Sequence, residues 1–316
     1  MIDFKREKVW VTGANSMVGH QLCNLLRILN ADVIPIVREE YNLLDYYNLV
    51  RAADIYGFPK YLFHLAGYNG GIKLNKECPA SIFGQTFRIA MNVFDFCSCH
   101  KVSKVVTPLT SCGYPDSNNP LTEDQYLSEK PHDSVMAHGY CRRNMLIYGI
   151  TLNRQFGNRF VFPILNNSFG PLDRFNEPGR LKVAGALIAK FVDAKLDNKS
   201  EVTLFGDGTP RRELIYSEDF ARGLIEVMDK YEDYESPINL GWGEDISIKE
   251  LAEKIISIVE YKGQVIWDTS FPNGAMRKLL NVDKMKKVLN WKPTTSIDKA
   301  LRDTITYYRY LVRSSM

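Results

Sequence analysis

Short apolar runs alternate along this chain with longer segments whose apolar residues return every three or four positions. Val9-Trp10-Val11 reads as a buried strand. Met17 to Leu29 reads as a helix, with Val18, Leu22, Leu25 and Leu26 on one face. Val33 to Val37, Tyr61 to Gly67, Val105-Val106 and Phe160 to Phe162 read as further strands. Helical stretches lie between them, notably Ala80 to Cys99 and His138 to Phe156. This alternation predicts an α/β fold, a doubly wound parallel sheet with helices on both faces. No internal repeat and no low-complexity linker interrupts it.

Composition narrows the class. At 316 residues and 36.2 kDa the chain suits one compact unit with two lobes. The net charge of +3 is too small to argue for nucleic acid or a membrane surface as partner. Met1 to Lys8 is charged and leads into the first strand, so no signal peptide is expected. No apolar run approaches the ~18 residues of a membrane helix. Cys23, Cys78, Cys97, Cys99, Cys112 and Cys141 show no disulfide rhythm, which points to a reducing, cytoplasmic setting. Cys97-Ser98-Cys99-His100 has no second ligand cluster at useful spacing, so the end of a packed helix is the plainer reading and no metal is expected.

The first motif with chemistry is Val11-Thr12-Gly13-Ala14-Asn15-Ser16-Met17-Val18-Gly19. A strand feeds a tight turn that opens a helix. Gly13 permits the turn, and Gly19 lets helix and strand pack closely. The helix N-terminus then offers N–H groups and a positive dipole end to a pyrophosphate. Ser16 replaces the middle glycine and puts a side chain where backbone approach matters. Arg38 follows the second strand, where an arginine suits the 2′-phosphate of NADP and a carboxylate would suit NAD. Asp45 is placed to meet the adenine edge.

Together these segments resemble the extended short-chain dehydrogenase/reductase superfamily, and within it the GDP-L-fucose synthase-like sugar-nucleotide enzymes. The resemblance rests on Gly13 to Gly19, Leu43-Leu44-Asp45, Leu65-Ala66-Gly67 with Gly70-Gly71-Ile72, and Thr110 to Pro115. It continues through Asn166 to Pro171, Phe205 to Glu213, Asn239-Leu240-Gly241 and Trp267 to Ser270, and so runs essentially end to end.

The resemblance implies a Rossmann domain over residues 1–165, joined by part of 213–242, and a smaller C-terminal α/β substrate lobe over 166–316. It implies an NAD(P)-dependent reductase or epimerase of a nucleoside-diphosphate sugar, with hydride transfer at C4. A GDP-sugar is favoured by analogy, and NADP(H) is favoured over NAD(H). Gly13, Asn15, Ser16, Met17, Val18, Gly19, Arg38, Asp45, Leu65, Ala66, Gly67, Arg142 and Asn166 would hold the dinucleotide. Asn167, Lys182, Phe205, Arg212, Arg277 and Lys278 would hold the nucleotide sugar, with Arg212 on the diphosphate. The family's paired helices imply a homodimer through a helix bundle, built on Phe83, Phe87, Met91, Met145, Ile147 and Tyr148.

The family's proton-handling residues are where this sequence departs. Thr110 keeps the hydroxyl that meets the reacting sugar oxygen, and Cys112 falls on a cysteine used in some relatives as an acid/base. His138 and Arg142, however, stand where relatives carry a tyrosine and a lysine. Their i, i+4 spacing keeps both on one helix face. Three readings stay open. His138, with an ordinary pKa near 6.5, moves the proton while Arg142 holds the ribose. Alternatively Tyr140 does so after a two-residue slip, a rotation of ~200°. Or the helix binds cofactor without chemistry, in a homologue that serves as a sensor or assembly partner. Leu172 stands where the resemblance implies a histidine after Gly-Pro, which argues against 3,5-epimerisation and leaves oxidation, reduction or C4 epimerisation.

Overall fold

The computed structural model describes residues 2–177, 180–270, 273 and 275–314, the side chains of Ile72 and Lys73 excepted. Five parallel strands form the main sheet in the order β2 (Asp32–Ile36), β1 (Lys8–Thr12), β3 (Tyr61–His64), β4 (Lys104–Val106), β6 (Phe160–Val161). The chain starts in the middle of the sheet at β1, steps to one edge, then returns to the other side at β3. Val9 therefore lies between Val33 and Tyr61, and Trp10 between Ile34 and Leu62. Carboxyl ends of strands at such a reversal of order open a crevice, which is where ligands bind in sheets of this kind.

Helices α1 (Met17–Ile28), α2 (Tyr47–Tyr56), α3 (Ile72–Glu77), α4 (Pro79–Cys99) and α5 (Met136–Phe156) accompany these strands. Ser16 caps α1, its Oγ accepting from Gly19 N at 3.1 Å, and Leu22, Cys23 and Leu26 of that helix are buried. Helix α5 presses unusually close to its surroundings. A Cβ on Gly139 would meet Cys112 O at 2.4 Å, and one on Gly149 would meet the Phe162 ring at 2.1 Å. The helix stops at Gly157, which adopts φ 69°.

A second parallel sheet continues the first lobe in the order β12 (Ile238–Asn239), β7 (Pro163–Leu165), β5 (Leu109–Thr110). The smaller lobe holds three short pairings: β8 (Asn167–Phe169) with β11 (Leu214–Tyr216), β9 (Glu201–Phe205) with β14 (Gln264–Asp268), and β10 (Arg211–Arg212) between β13 (Ile246–Ser247) and β15 (Arg277–Lys278). Helices α6 (Val183–Leu196), α8 (Ile248–Val259) and α10 (Ile297–Ser314) pack behind them around Leu187, Phe191, Leu251, Ile255 and Leu301.

Two apolar cores result. Helix α7 (Ser217–Lys230) sends Phe220, Leu224 and Val227 into the first core, where Ile238 and Leu240 join them. Leu280, Val282, Met285 and Leu289, around α9 (Asp283–Leu289), are there too, a return of the chain that its hydrophobic pattern alone does not assign. Among the described residues no helix is long and apolar enough to cross a membrane.

Candidate functional site

A cleft of about 540 Å³ runs from the β1–α1 turn to the start of α6, within the 300–1,000 Å³ usual for small-molecule sites. Its cofactor end is shaped by backbone. Gly13 holds φ 68°, and a Cβ there would sit 2.9 Å from Ala66 N; a Cβ on Gly19 would sit 2.3 Å from Gly13 O. Neither position tolerates a side chain, so the turn lies flat against the end of β3. Ser16 bends back to cap the helix rather than standing in the cleft, which removes the obstruction expected of a side chain there. Gly13, Asn15, Ser16, Met17, Val18, Arg38, Leu65, Ala66 and Gly67 line the cavity.

Thr12 and His64 floor this end. Ala66 N donates to Thr12 Oγ1 at 3.2 Å, and that hydroxyl lies 2.8 Å from His64 Nδ1. The hydroxyl can donate to Nδ1 or accept from it, so this contact fixes the ring's position and not its tautomer. Nε2 is buried and has no partner among the described residues. Burial and then Arg142 push the His64 pKa down to about 3, so the ring is neutral. A close backbone turn and a helix N-terminus together fit a dinucleotide phosphate.

The sugar end is shaped by charge. His138 and Arg142 share a face of α5 and line the cleft, 7% and 5% exposed. Arg142 Nε donates to His138 Nε2 at 3.4 Å, and its Nη2 donates to Asn69 Oδ1 at 3.0 Å. Arg174 Nη1 donates to the Asn69 carbonyl at 3.1 Å. Asn69 thus ties the two arginines together across the cleft. Asp173, Arg174, Arg180 and Lys182 close the cavity from the loop between β8 and α6. Leu172, in that loop, carries φ 69°, a strained conformation for a leucine beside a cavity wall.

The proton chemistry expected of His138 is altered by this setting. Burial first, then Arg142 and Lys182, push its pKa down to about 3 rather than leaving it near 6.5. At pH 7 the ring is neutral. Tyr140 lies on the outer side of α5, 38% exposed, with Arg143 stacked 5.6 Å from its ring, and it does not line the cleft. Reaching the cleft from there requires the helix rotation noted above. Thr110 lines the cleft and caps the next turn, its Oγ1 accepting from Cys112 N at 3.2 Å. Cys112 stands behind it, near Lys182.

Several expected contacts are placed elsewhere. Asn166 turns inward: Nδ2 donates to Glu213 Oε2 at 2.9 Å and Lys278 O at 3.0 Å, and Oδ1 accepts from Ser111 Oγ at 2.8 Å. Leu165 and Ser168 face the cleft instead. Asp45 accepts from Tyr47 N at 3.0 Å, and Asn42, Leu43 and Leu44 line the adenine side in its place. Asn167 pairs with Leu214 in the β8–β11 ladder. Phe205, 64% exposed at the end of β9, lies under the Lys190 ammonium.

The expected phosphate cations divide by strand register. Arg211 pairs with Arg277 and Arg212 with Lys278. Asp245 takes Arg211 Nε and Arg277 Nε, both at 2.6 Å, so Arg277 is neutralised within the fold. Among the described residues, Arg212 donates only to its neighbour's carbonyl, at 2.7 Å, and Lys278 Nζ is buried without a partner. Arg212 borders a second cavity of about 550 Å³ between β11, α8 and α10 rather than the cofactor cleft. Asn69, Asp173 and Arg174 were invisible to motif reading. The signal was there only as a polar residue inside the Gly-rich loop and two charges directly after Gly170-Pro171 and Leu172.

Comparison with known proteins gives one consistent result. The model of the "NAD dependent epimerase/dehydratase family" matches residues 9–241. A probable GDP-L-fucose synthase 1 of Oryza sativa subsp. japonica is 31% identical over 315 residues, spanning 96% of this chain and 92% of that protein. The GDP-L-fucose synthase of Escherichia coli K12 is 30% identical over 320 residues, spanning 96% and 97%. The crystal structure of a GDP-L-fucose synthetase from Naegleria fowleri bound to NADP superposes with a TM-score of 0.90 at 25% identity, covering 99% of this chain and 96% of that one.

Proposed function

The chain belongs to the NAD dependent epimerase/dehydratase family, and on that premise we propose that it is an NADP(H)-dependent oxidoreductase or epimerase of a nucleoside-diphosphate sugar, with a GDP-sugar as substrate. The observation that carries the reading is the single cleft that joins the Gly13 turn and Arg38 to Thr110, Arg142 and Lys182. Relatives named as GDP-L-fucose synthases match nearly the whole length of this chain, and one was solved with NADP. When bound, the dinucleotide supplies or accepts a hydride at a ring carbon. The Gly13 turn and the α1 N-terminus hold its pyrophosphate, and Arg38 favours a 2′-phosphate. Arg142, fixed by Asn69, presents its fork to ribose hydroxyls. Thr110 hydrogen-bonds the reacting oxygen. Arg212, at the second cavity, holds the diphosphate, a reading supported by its lack of a carboxylate partner among the described residues.

A homodimer through α4 and α5 is part of this reading, supported by the exposure of Met91, Tyr140 and Ile147 on these helices. Met145 is fully buried and takes no part. Light scattering at micromolar concentration tests this, and a monomer would refute it.

Catalysis is tested by incubating the protein with NADPH and a 4-keto GDP-sugar while following the near-ultraviolet absorbance of the reduced nicotinamide. Loss of that absorbance is expected. Binding of both ligands without any loss would favour a ligand sensor instead.

A further inference from the structure

We propose that Lys182, and not His138, gives the proton to the sugar oxygen when the ring carbonyl is reduced. The assignment rests on the functional reading above and goes beyond it in naming the acid. Two observations on geometry carry it. The first is that His138 is already committed. Its Nε2 accepts from Arg142, which is held by Asn69, which is held by Arg174. With Nε2 accepting, the ring proton sits on Nδ1, and a neutral imidazole does not release that proton near pH 7. An Arg fork cannot release one either. His138 and Arg142 therefore form a fixed wall in which the charge is Arg142's.

The second observation is that Lys182 is the uncommitted ammonium of the same cavity. It stands at the N-cap of α6, where the chain turns from the 171–182 loop into the helix. Its residue surface is open to the cleft, and it lines that cleft opposite α5. Among the described residues it has no hydrogen bond or ion pair from its side chain. The groups facing it are Asp173 and Arg174 from its own loop, Cys112 from the turn after β5, and Arg142 and His138 from α5. Loss of solvent around the ammonium lowers its pKa from the usual lysine value, Asp173 and Cys112 oppose this, and Arg174 and Arg142 add to it. That direction makes the ammonium a better acid.

The step balances. As hydride reaches the carbonyl carbon, the C=O π pair moves to oxygen. The Lys182 N–H bond breaks and an O–H bond forms. The neutral amine then recovers its proton from water, which reaches it through the open cleft. In the oxidation direction the same amine takes the proton back.

Two measurements test the assignment, and the first needs no turnover. Acetylation of the protein by an N-hydroxysuccinimide ester is followed by peptide mass spectrometry, with and without GDP-mannose. Lys182 is expected to be shielded at least tenfold by the nucleotide sugar, while Lys190, exposed on the same helix outside the cleft, is not. Equal acetylation of Lys182 in both samples would overturn the assignment. In the second, Lys182→Met and Lys182→Arg are compared with wild type using NADPH and a 4-keto GDP-sugar. Wild type should fall in rate at alkaline pH, and both variants should lose that fall, lose ~10²–10⁴-fold in kcat and keep their NADPH affinity within about twofold. His138→Gln, which keeps an acceptor for Arg142, should cost less than about tenfold. A Lys182→Met enzyme within threefold of wild type would overturn the assignment and leave the enzyme reading standing. Wild type inert toward keto and hydroxy sugars alike would overturn both.

Discussion

The two ends of the cleft are built by different physics. At the cofactor end the determinants are positions where no side chain fits: Gly13 against Ala66 and Gly19 against Gly13 O. At the sugar end they are charges whose meaning depends on partners: Arg142 and Arg174 held by Asn69, Lys182 left open, His138 kept neutral. Backbone shape tolerates drift poorly, so the cofactor end keeps a familiar motif. Charge can be redistributed among neighbours, so the sugar end can exchange its residues while remaining a cavity for the same kind of ligand.

The largest effect expected is at the cofactor end. Gly19→Val drives a side chain into the Gly13 carbonyl and should cost about 3 kcal/mol of stability by overpacking. Dinucleotide binding should vanish with it. Thermal unfolding and calorimetry with NADPH check both. A stable, binding-competent variant would show that the turn is not the phosphate cradle.

Acid titration sets the two ends side by side, because each holds one buried neutral imidazole, His64 and His138. Both folded pKa values lie at about 3, below the ~6.5 of a solvated ring. The unfolded chain therefore takes up these protons first. Their effect on stability is nil above pH 6.5 and grows as pH falls from 6.5 towards 3. Each should cost about 2 kcal/mol between pH 6.5 and pH 5. Urea unfolding at those two pH values measures it. His138→Gln should reduce the loss by about 2 kcal/mol, and an unchanged slope would mean that the ring is solvated.

Much of the cofactor end was legible in the sequence. Glycine spacing after a buried strand encodes a backbone shape directly, and the strand and helix pattern located it. The sugar end was not legible in the same way. Arg277 and Lys278 are neighbours, and only the pairing of β15 with β10 tells which one Asp245 neutralises. Asn166 and Asn167 are likewise adjacent, and contacts with Ser111 and Glu213, distant in sequence, turn the first inward. His138 looked like an ordinary imidazole until its burial beside Arg142 was known. Lys182 was recognised as a pocket residue, but its freedom from partners is a property of the folded cavity.

That register contrast gives the next expected effect. Arg212→Ala should weaken nucleotide-sugar binding by about 30-fold, the worth of one charge-assisted contact at ~2 kcal/mol, with little change in stability. Arg277→Ala should do the reverse, lowering stability by about 1–3 kcal/mol because Asp245, 5% exposed, loses a partner. Calorimetry and urea unfolding of the two variants separate these roles, and equal binding losses would erase the distinction.

Smallest is the effect at Arg38. Arg38→Ala should remove a preference for NADPH over NADH of about tenfold, or ~1.4 kcal/mol. An unchanged ratio would show that the 2′-phosphate is read elsewhere in the cleft.

The central claim is that both ends of this cleft serve one hydride transfer at C4 of the sugar ring. NADPH carrying deuterium at the transferring position, incubated with a 4-keto GDP-sugar, tests it directly by NMR of the product. Deuterium at C4 of a newly formed secondary alcohol is the predicted result. Unlabelled sugar recovered with both ligands bound, or label at another carbon, would contradict it.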